Sequence, residues 1–437
     1  MTTAKSSLVV RFRFNGSLDA LSFDDRRELF SRSAIVDSSV RETVRSIIER
    51  VRTSGNVALL ELARDLDGVD LVSLEVPKDA VSKSLQRLSR DFEAALRRSA
   101  RNIERVHAAS RPETTTMEVE PGITVARRPD ALARVGVYAP GGKAAYASSV
   151  LMAAIPARVA GVSEIILCSP PSHTGFPAPE VLAAAAIAGV DRVFALGGAG
   201  AIAAMAIGTA TVPRVDKIVG PGNAYVAEAK IQLTSEVAID SPAGPSELLV
   251  IADDSVDPRV IAREISAQAE HDARAAVIVI AIGDDVARRI SAAMDSNIAT
   301  QPRASTIFEA LASRGGVLSV KSLHEAMQAA NDFAPEHLLI ATRNAADVAQ
   351  SVRSAGSVFV GETSSVAFGD YMTGANHVLP TGGMARCYSG LSTLDFVRWT
   401  TLQSVTRTAA RRLAADTAVF AEAEGLPAHA SAARAWL

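Results

Sequence analysis

Four short segments carry most of the residues that could hold a metal ion and use it in catalysis. These segments are residues 266–275, 333–340, 366–383 and 423–429. Four of the seven histidines of the chain lie within them, namely His271, His337, His377 and His429. Each of the four lies within a few residues of a Gln, Glu or Asp. Zinc and similar metals take imidazole and carboxylate ligands together, so this clustering indicates a metal-dependent site.

Four residues of these segments are candidate metal ligands: Gln268, His271, Asp370 and His429. Gln268 and His271 are three positions apart at the end of a predicted helix, so both side chains can face one ion. Asp370 follows Gly369 in a predicted turn, and His429 is predicted on the terminal helix. Taken singly, each has a simpler explanation as a surface, capping or turn residue. Taken together, they supply two nitrogen and two oxygen donors, which suit zinc.

Glu336 and His337 are adjacent at the start of a predicted strand. Neighbouring side chains of a strand point to opposite faces, so one or both should reach a cavity. A Glu and a His are two bases of different intrinsic pKa, which suit two proton-transfer steps. The alternative is that Glu336 caps a turn or forms an ion pair while His337 packs against Leu338. Ser246 could be a nucleophile, but the G-x-S-x-G turn is absent, which favours a turn cap or a ligand contact.

From about residue 134, short β-branched runs alternate with Gly, Pro or Asp turns and Ala-rich helical segments. Examples of these runs are RVGVYAP, EIILCSPP, VDKIVGPG, ELLVIADD and AAVIVIAI. The alternation predicts a mostly parallel α/β sheet with helices on its faces. Residues up to about 110 are predicted to be helical, and the tail is predicted to return to helix from about Ser392. The pattern therefore predicts two α/β units with helical ends.

The composition excludes several classes of protein. The chain has 437 residues, and 45 basic side chains nearly balance 48 acidic ones without a like-charge run, so neither nucleic acid nor an anionic membrane is an expected partner. No window of 18 strongly apolar residues predicts a membrane span, and the N-terminus lacks the apolar centre of a signal peptide. Two distant cysteines exclude a disulfide framework. We therefore expect a soluble, cytoplasmic protein of several domains.

Three Gly-rich turns follow predicted strands and precede predicted helices. Residues 198–203 read G-x-G-x-x-A, a dinucleotide-binding pattern in which glycines let the backbone approach a pyrophosphate. The acidic residue that such a site requires about 20 positions later could be Asp216. The turns at residues 139–149 and 219–230 compete for a cofactor contact, and all three could instead be tight turns that need positive φ. Together the turns favour an extended ligand in this half of the chain.

Several long motifs resemble those of the histidinol dehydrogenase family, from about residue 35 to the C-terminus. They are RVGVYAPGGKAAYASSVLM, VDKIVGPGNAYVAEAK, IDSPAGPSELLVIADD, AQAEHD, FAPEHL, GDYMTGANHVLPT, YSGL and AEGLPAH. The resemblance implies two Rossmann-like α/β domains, each an incomplete doubly wound parallel sheet, with helical N- and C-terminal extensions. It also implies a zinc- and NAD-dependent homodimer that oxidises L-histidinol through the aldehyde to L-histidine.

The resemblance implies a division of the chain into four parts. Residues 1–33 would be an N-terminal arm, and residues 138–245 would be a second domain that binds NAD. Residues 34–137 and 246–391 would form the first domain, which carries the zinc ligands and the catalytic bases. Residues 392–437 would be a helical tail that completes the site of the partner subunit.

The resemblance implies a role for each residue that matches a functional position of the family's motifs. The zinc ligands would be Gln268, His271, Asp370 and His429. The substrate contacts would be Ser246, Gln268, His271, His337, Asp370, Glu424 and His429, of which Glu424 and His429 would reach into the neighbouring subunit's site. The NAD contacts would be Tyr138 and Asn223. His337 would take the hydroxyl proton as hydride leaves to NAD, and Glu336 would then activate the water that hydrates the aldehyde. His377 has no assigned role.

One position departs from the family pattern. Gly200 occupies the place of a glutamine that contacts NAD in the family. The G-x-G-x-x-A pattern is then an accident of this substitution, and one side-chain contact to the cofactor is missing. We expect weaker or water-bridged NAD binding and retained activity.

Three other interpretations fit parts of the sequence. A dehydrogenase of the same family could act on dihydroxypropanesulfonate with the same zinc and hydride chemistry. A zinc hydrolase could use Glu336 as the base for a metal-bound water, but it would leave the Gly-rich turns and Tyr138 without a role. A non-catalytic, zinc-stabilised dimer is disfavoured, because nothing in the motif set is missing except the one glutamine at Gly200. NADH production separates the dehydrogenases from the hydrolase and the dimer.

Overall fold

A computed structural model describes residues 10–32, 38–141, 146–242, 244–298 and 301–437. Residues 142–145 of the Gly-rich turn at 139–149 therefore lie outside the described residues. In chain order the strands are β1 Phe14–Ser17, β2 Thr115–Glu120, β3 Ile123–Ala131, β4 Arg134–Tyr138, β5 Glu164–Ser169, β6 Arg192–Ala195, β7 Lys217–Val219, β8 Ala238–Ile239, β9 Glu247–Ala252, β10 Ala276–Ile282, β11 Gly315–Val320, β12 His337–Ala341, β13 Ser357–Val360 and β14 Val397–Val405.

The α-helices are α1 Phe23–Phe30, α2 Ser38–Ser54, α3 Asn56–Leu62, α4 Lys78–Lys83, α5 Arg90–Ala109, α6 Ala147–Ala160, α7 Pro179–Ala188, α8 Gly198–Ile207, α9 Ala224–Gln232, α10 Pro258–Ala269, α11 Asp284–Ile298, α12 Ala304–Arg314, α13 Leu323–Phe333, α14 Ala345–Ala349, α15 Val366–Tyr371, α16 Arg407–Ala423 and α17 Pro427–Arg434. Within the described part of the chain, no helix is both long and apolar enough to cross a membrane.

A six-stranded parallel sheet has the order β1-β11-β10-β9-β12-β13. Its strand β9 contributes to two cores, because successive side chains of a strand point to opposite faces. Leu248 and Val250 pack with helices α10, α11 and α12, whereas Leu249 and Ile251 pack with α1, α13 and α14. A strand that is buried on both faces is a continuous apolar run, so ELLVIA was recognisable in the sequence.

A five-stranded parallel sheet has the order β6-β5-β4-β7-β8. Ile165 and Leu167 of β5 face α6 and α7, and Ile166 faces α2, α3, α8 and α9 on the opposite side. Two parallel sheets with helices on both faces confirm the predicted α/β fold class.

The helices α2 and α3 pack on the five-stranded sheet, where Val44 and Leu59 join the cluster around Phe194. The predicted division places residues 34–137 with the other sheet and begins the second domain at residue 138. That boundary cuts strand β4, which starts at Arg134 and belongs to the five-stranded sheet. The division into domains stays a prediction, and the packing associates α2, α3 and β4 with the predicted NAD-binding part.

A third, antiparallel sheet has the order β14-β3-β2. The prediction of helix from about Ser392 is wrong for Val397–Val405, which forms β14. Trp399, Leu402 and Val405 recur every three residues, a spacing that imitates a helix. Most side chains of β14 are exposed, so the strand lacks the alternating buried face that identifies a strand in a sequence.

The last two helices, α16 and α17, pack against each other through Ala418, Ala421 and Ala430. This small cluster is separate from the cores of the two parallel sheets. Phe420 is 68% exposed and Trp436 is 51% exposed. The terminal helices thus leave large apolar side chains on the surface of the single chain.

Candidate active site

Glu336 and His337 lie at the amino end of β12, and both are buried. Helix α13 ends at Phe333, and the next residue, Ala334, has a φ of 50° in the left-handed region. The chain turns there and enters β12, with Glu336 just before the strand and His337 as its first residue. The carboxylate of Glu336 accepts a hydrogen bond from the backbone N–H of Glu247 at 2.7 Å. The sequence prediction of a Glu–His pair at a strand entrance is therefore confirmed in position.

The imidazole of His337 has two unlike nitrogens. Nδ1 lies 3.0 Å from the carbonyl oxygen of Glu247, to which it can donate a hydrogen bond. Nε2 is buried and has no hydrogen-bond partner in the described chain, and it lies 3.7 Å from Oδ1 of Asp370. A hydrogen bond from Nδ1 to a carbonyl fixes the tautomer and leaves the Nε2 lone pair free to take a proton.

Burial and charge act together on this pair. Burial raises the pKa of Glu336, and the charge of His337 opposes that shift. Burial by itself would lower the pKa of His337, but the carboxylates of Glu336 and Asp370 outweigh it and raise the pKa to about 9. The two bases therefore lie in one low-dielectric pocket and interact directly, with Nδ1 of His337 3.5 Å from Oε2 of Glu336.

Three of the four predicted metal ligands lie on neighbouring elements of one chain. Gln268 is buried in the last turn of α10, and His271 is exposed just beyond the end of that helix. The prediction of a turn at Asp370 is wrong, because Asp370 lies on the short helix α15, where its side chain is 17% exposed. The Glu264 carboxylate of α10 accepts a hydrogen bond from the N–H of Val366 at 3.0 Å, which ties the start of α15 to α10. Close packing at Gly369 also holds α15 in place, because a Cβ there would meet the Phe359 ring at 2.5 Å.

The fourth predicted ligand, His429, does not join the other three within one chain. Among the described residues, no group of three or more His, Cys, Asp or Glu side chains could hold a metal ion, so His271, Asp370 and His429 do not form such a group within one chain. His429 and Glu424 are both exposed on the terminal helices. One chain thus places Gln268, His271 and Asp370 on the neighbouring elements α10 and α15, and the role of these residues and of His429 as metal ligands stays a prediction.

The donors of the single chain fit zinc. They are an amide oxygen, an imidazole and a carboxylate, a set that zinc accepts. Neither the Gln268 amide nor the His271 ring has a side-chain hydrogen bond to another described residue, so both are free to bind an ion. The buried, unpartnered Nε2 of His337 lies beside Asp370, which places a base next to the predicted ligands.

His377 links the ligand segment to the other half of the molecule. Its Nδ1 lies 2.9 Å from the backbone oxygen of Asp370, and its Nε2 lies 3.3 Å from the Ser149 hydroxyl on α6. Burial lowers the pKa of His377, and the nearby Asp370 carboxylate partly opposes that shift. No role for His377 could be predicted from the sequence, since both contacts depend on tertiary structure.

The predicted NAD contacts meet at the carboxyl end of the five-stranded sheet. Tyr138 is the last residue of β4, its hydroxyl accepts a hydrogen bond from the N–H of Gly198 at 3.1 Å, and burial raises its pKa to about 12. Gly220, with φ of 113°, lies against the backbone of Tyr138, where a Cβ would come within 2.1 Å of the carbonyl oxygen. Asn223 caps α9 by accepting from two backbone N–H groups. The Gly198 and Gly220 turns therefore pack together on the buried Tyr138.

The dinucleotide pattern at residues 198–203 lacks its acidic partner. Asp216 precedes β7, and its carboxylate accepts hydrogen bonds from the N–H groups of Ala133 and Arg134. It therefore lies at the amino end of the sheet, away from the Gly-rich turns, and the suggestion that it binds a ribose is wrong. Gly200 faces α3, since a Cβ there would meet Leu62 at 3.0 Å.

Ser246 directly precedes β9 and is half-buried. Its carbonyl oxygen accepts a hydrogen bond from the N–H of Ala276 on the neighbouring strand. The next residue, Glu247, contacts both Glu336 and His337, which places Ser246 next to the two bases. Glu247 was not predicted as a site residue, although a carboxylate at the start of a fully apolar strand indicates a buried polar partner.

The chain is similar to known proteins over nearly its whole length. A sequence profile of the histidinol dehydrogenase family matches residues 30–437. Histidinol dehydrogenase of Methanothermobacter thermautotrophicus is 43% identical over 414 residues, which cover 94% of this chain and 97% of the relative. Histidinol dehydrogenase of Escherichia coli O6:H1 is 41% identical over 426 residues, which cover 96% of this chain and 97% of the relative. A crystal structure of histidinol dehydrogenase from Elizabethkingia anophelis aligns with a TM-score of 0.92 at 33% identity, over 98% of each chain.

The parallel α/β fold, the buried pair of bases and these similarities define a dehydrogenase, an enzyme of the oxidoreductase class. The chain belongs to the histidinol dehydrogenase family.

Proposed function

We propose that the protein oxidises L-histidinol through L-histidinaldehyde to L-histidine, with one zinc ion per subunit and two molecules of NAD per substrate. The observation that carries the proposal is the pair of buried bases, Glu336 and His337, beside the predicted zinc ligand Asp370. The family membership supports the substrate, because the relatives of similar length are named for histidinol.

Gln268, His271 and Asp370 would hold the zinc, which when bound supplies a positive charge that orients an amine or imidazole of the substrate. In its neutral form, which the raised pKa of His337 makes a strong base, the unpartnered Nε2 is positioned to accept the proton of the substrate hydroxyl as hydride leaves for NAD. The hydrogen bond from Nδ1 to the Glu247 carbonyl keeps the ring fixed during this transfer.

The second oxidation needs a base for water. Glu336 is buried, and burial raises its pKa, so its carboxylate is a stronger base than one in water. Glu336 would take a proton from the water that adds to the aldehyde, and His337 would again receive the hydroxyl proton as the second hydride leaves. Two adjacent bases thus serve two hydride transfers in one pocket.

NAD would bind at the carboxyl end of the five-stranded sheet, over Tyr138 and the turn that ends at Asn223. This end of a parallel sheet is where open α/β proteins bind their ligands. The Tyr138 hydroxyl and the Asn223 oxygen are already hydrogen-bonded to the backbone, so both residues also shape the surface on which the cofactor lies.

We infer that the enzyme is a homodimer in which Glu424 and His429 complete the partner's site. In one chain both residues are exposed, Glu424 at the end of α16 and His429 on α17. The exposed Phe420 and Trp436 on the same helices are apolar surface that a second subunit would cover. Cytoplasmic location is part of the proposal, and the free thiols Cys168 and Cys387 support a reducing compartment.

The test is NADH formation by the purified, zinc-loaded protein with L-histidinol, followed by absorbance. Two NADH per histidinol is the expected result. One NADH indicates a simple alcohol dehydrogenase, and turnover of dihydroxypropanesulfonate instead of histidinol indicates the other activity of the family. No NADH with any of these alcohols contradicts the proposal and favours the hydrolase or the non-catalytic dimer.

A further inference from the structure

Glu247, the first residue of β9, contacts both proposed bases. Its backbone N–H donates to the Glu336 carboxylate at 2.7 Å, and its carbonyl oxygen lies 3.0 Å from Nδ1 of His337. In return, the Glu247 carboxylate accepts from the backbone N–H of Glu336 at 3.4 Å and from Gly382 at 2.9 Å. Glu247 therefore binds the backbone and the side chain of Glu336 at once, and it also orients the ring of His337.

Arg32, which lies just beyond α1 near the N-terminus, binds the same carboxylate. Its Nε lies 2.9 Å from one carboxylate oxygen of Glu247 and its terminal nitrogen 3.1 Å from the other, a bidentate pairing. The side chains of Arg32 and Glu247 are only 5% and 4% exposed. The charge of each is thus compensated by the other in an environment where an unpaired charge is costly.

Arg32 also holds the chain just before the two bases. Its terminal nitrogen donates to the carbonyl oxygen of Phe333 at 2.7 Å, and its guanidinium lies over the Phe333 ring. Phe333 ends α13, and Glu336 follows three residues later. Arg32 therefore fixes one end of this short connection, and Glu247 fixes the other.

We propose that Arg32 and Glu247 are positioning residues that hold Glu336 and His337 in their reactive geometry. The inference rests on the proposed function, since it assigns these two bases to the hydride-transfer steps. Arg32 and Glu247 act through the bases and do not contact the substrate themselves. Misplacement of a reacting group by about 1 Å can cost on the order of 100-fold in rate, so such support affects turnover.

A cavity beside Arg32 allows a test by chemical rescue. The cavity has a volume of about 110 Å³, and Arg32, Leu29, Phe333 and the exposed Arg314 line it. Arg32→Ala would enlarge the cavity and leave Glu247 without its cation. A small guanidinium ion such as methylguanidinium can then enter and pair with the carboxylate. Arg314→Ala is the matched control, because it removes a guanidinium from the same cavity and leaves the Arg32–Glu247 pair intact.

For Arg32→Ala we expect kcat with L-histidinol to fall about 10- to 100-fold, as for other supporting residues of active sites, while KM for NAD is unchanged. Millimolar methylguanidinium should restore much of the lost kcat and leave KM for NAD unchanged. Arg314→Ala should keep the kcat of the wild type and show no response to methylguanidinium. The proposal is overturned if folded Arg32→Ala turns over as fast as Arg314→Ala.

A second variant serves if Arg32→Ala does not fold. The double variant Arg32→Met/Glu247→Gln removes both charges together and keeps the side-chain volumes, so no buried charge is left unpaired. The amide of Gln cannot accept from both Gly382 and Glu336, so we expect the same loss of kcat. If the folded double variant keeps the kcat of the wild type, the positioning role is overturned, whereas the proposed function is not. A wild type that forms no NADH from L-histidinol sinks the proposed function and this inference with it.

Discussion

The candidate site lies at the amino ends of the strands in one parallel sheet and at the carboxyl ends of the strands in the other. In the six-stranded sheet, Glu247 and His337 are the first residues of β9 and β12. In the five-stranded sheet, Tyr138 is the last residue of β4, and the turns at Gly198 and Gly220 follow β6 and β7. Ligands of open α/β sheets bind beyond the carboxyl ends of the strands. The five-stranded sheet therefore follows the usual rule, and the six-stranded sheet does not.

This difference indicates a division of labour. At the carboxyl end of the five-stranded sheet, glycine turns bring the main chain close to the surface, which suits an extended cofactor. At the amino end of the six-stranded sheet, backbone N–H groups of entering strands bind the carboxylates of Glu336 and Glu247. That end suits proton transfer, because the carboxylates are buried and fixed. His377, bonded to Asp370 and to Ser149, joins the two ends.

The largest effect is expected from the tail, which belongs to neither sheet. Truncation before Glu424 should abolish turnover, because it removes the proposed fourth zinc ligand and a substrate contact of the partner's site. The thermal unfolding midpoint should change little, since the terminal helices form a separate apolar cluster. A control that ends at Arg434 keeps α17 and should remain active. Near-normal turnover by the truncated dimer would refute a site that is shared between subunits.

The next effect tests the amino end of the six-stranded sheet. His337→Ala should lower kcat by about 10²- to 10⁴-fold, the usual contribution of a general base. Zinc content, measured by mass spectrometry, should stay at the level of the wild type, because His337 is proposed as a base and not as a ligand. His324→Ala, an exposed histidine on α13, is the control. Loss of zinc in His337→Ala would show that His337 is a zinc ligand and that its assignment as a base only is wrong.

The corresponding test at the carboxyl end of the five-stranded sheet uses Lys230. Its ammonium binds the Asp240 carboxylate at 2.7 Å and the Gly220 carbonyl at 2.6 Å, and Asp240 also accepts from the N–H of Gly220. Lys230→Met should destabilise the protein by ~3–5 kcal/mol, because it leaves a buried carboxylate unpaired. In the folded fraction, KM for NAD should rise more than kcat falls.

The exposed ion pair of Lys83 with Asp79 provides the control for that measurement. Lys83→Met should leave the unfolding midpoint and KM for NAD unchanged. A Lys230→Met enzyme that loses kcat and keeps its KM for NAD would contradict the assignment of cofactor binding to this sheet.

The smallest effect concerns Gly200. In Gly200→Gln the new side chain meets Leu62, so the single substitution should cost about 1–3 kcal/mol of stability by overpacking. Leu62→Ala/Gly200→Gln provides the space, and the regained contact should lower KM for NAD by several-fold, since one hydrogen bond contributes about 0.5–1.5 kcal/mol. Leu62→Ala alone is the control. An unchanged KM for NAD in the double variant would sink the idea that Gly200 weakens cofactor binding.

The parallel α/β class could be predicted from the sequence because strands buried on both faces are continuous apolar runs. The Glu336–His337 pair could be found because two adjacent ionisable residues at a strand entrance are unusual in a core. The exposed strand β14 could not, since its apolar residues are spaced as in a helix. The link between Arg32 and Glu247 spans 215 positions in the sequence, and no local pattern predicts a contact of that range.

The division of labour between the two bases is tested most directly by the NADH stoichiometry of Glu336→Gln with L-histidinol. The account predicts that the wild type forms two NADH per histidinol. The variant should form the first at a measurable rate through His337 and then stall, so that one NADH and the aldehyde accumulate. Two NADH per histidinol at the rate of the wild type in Glu336→Gln would contradict the account, because Glu336 would then not be the base for the second oxidation.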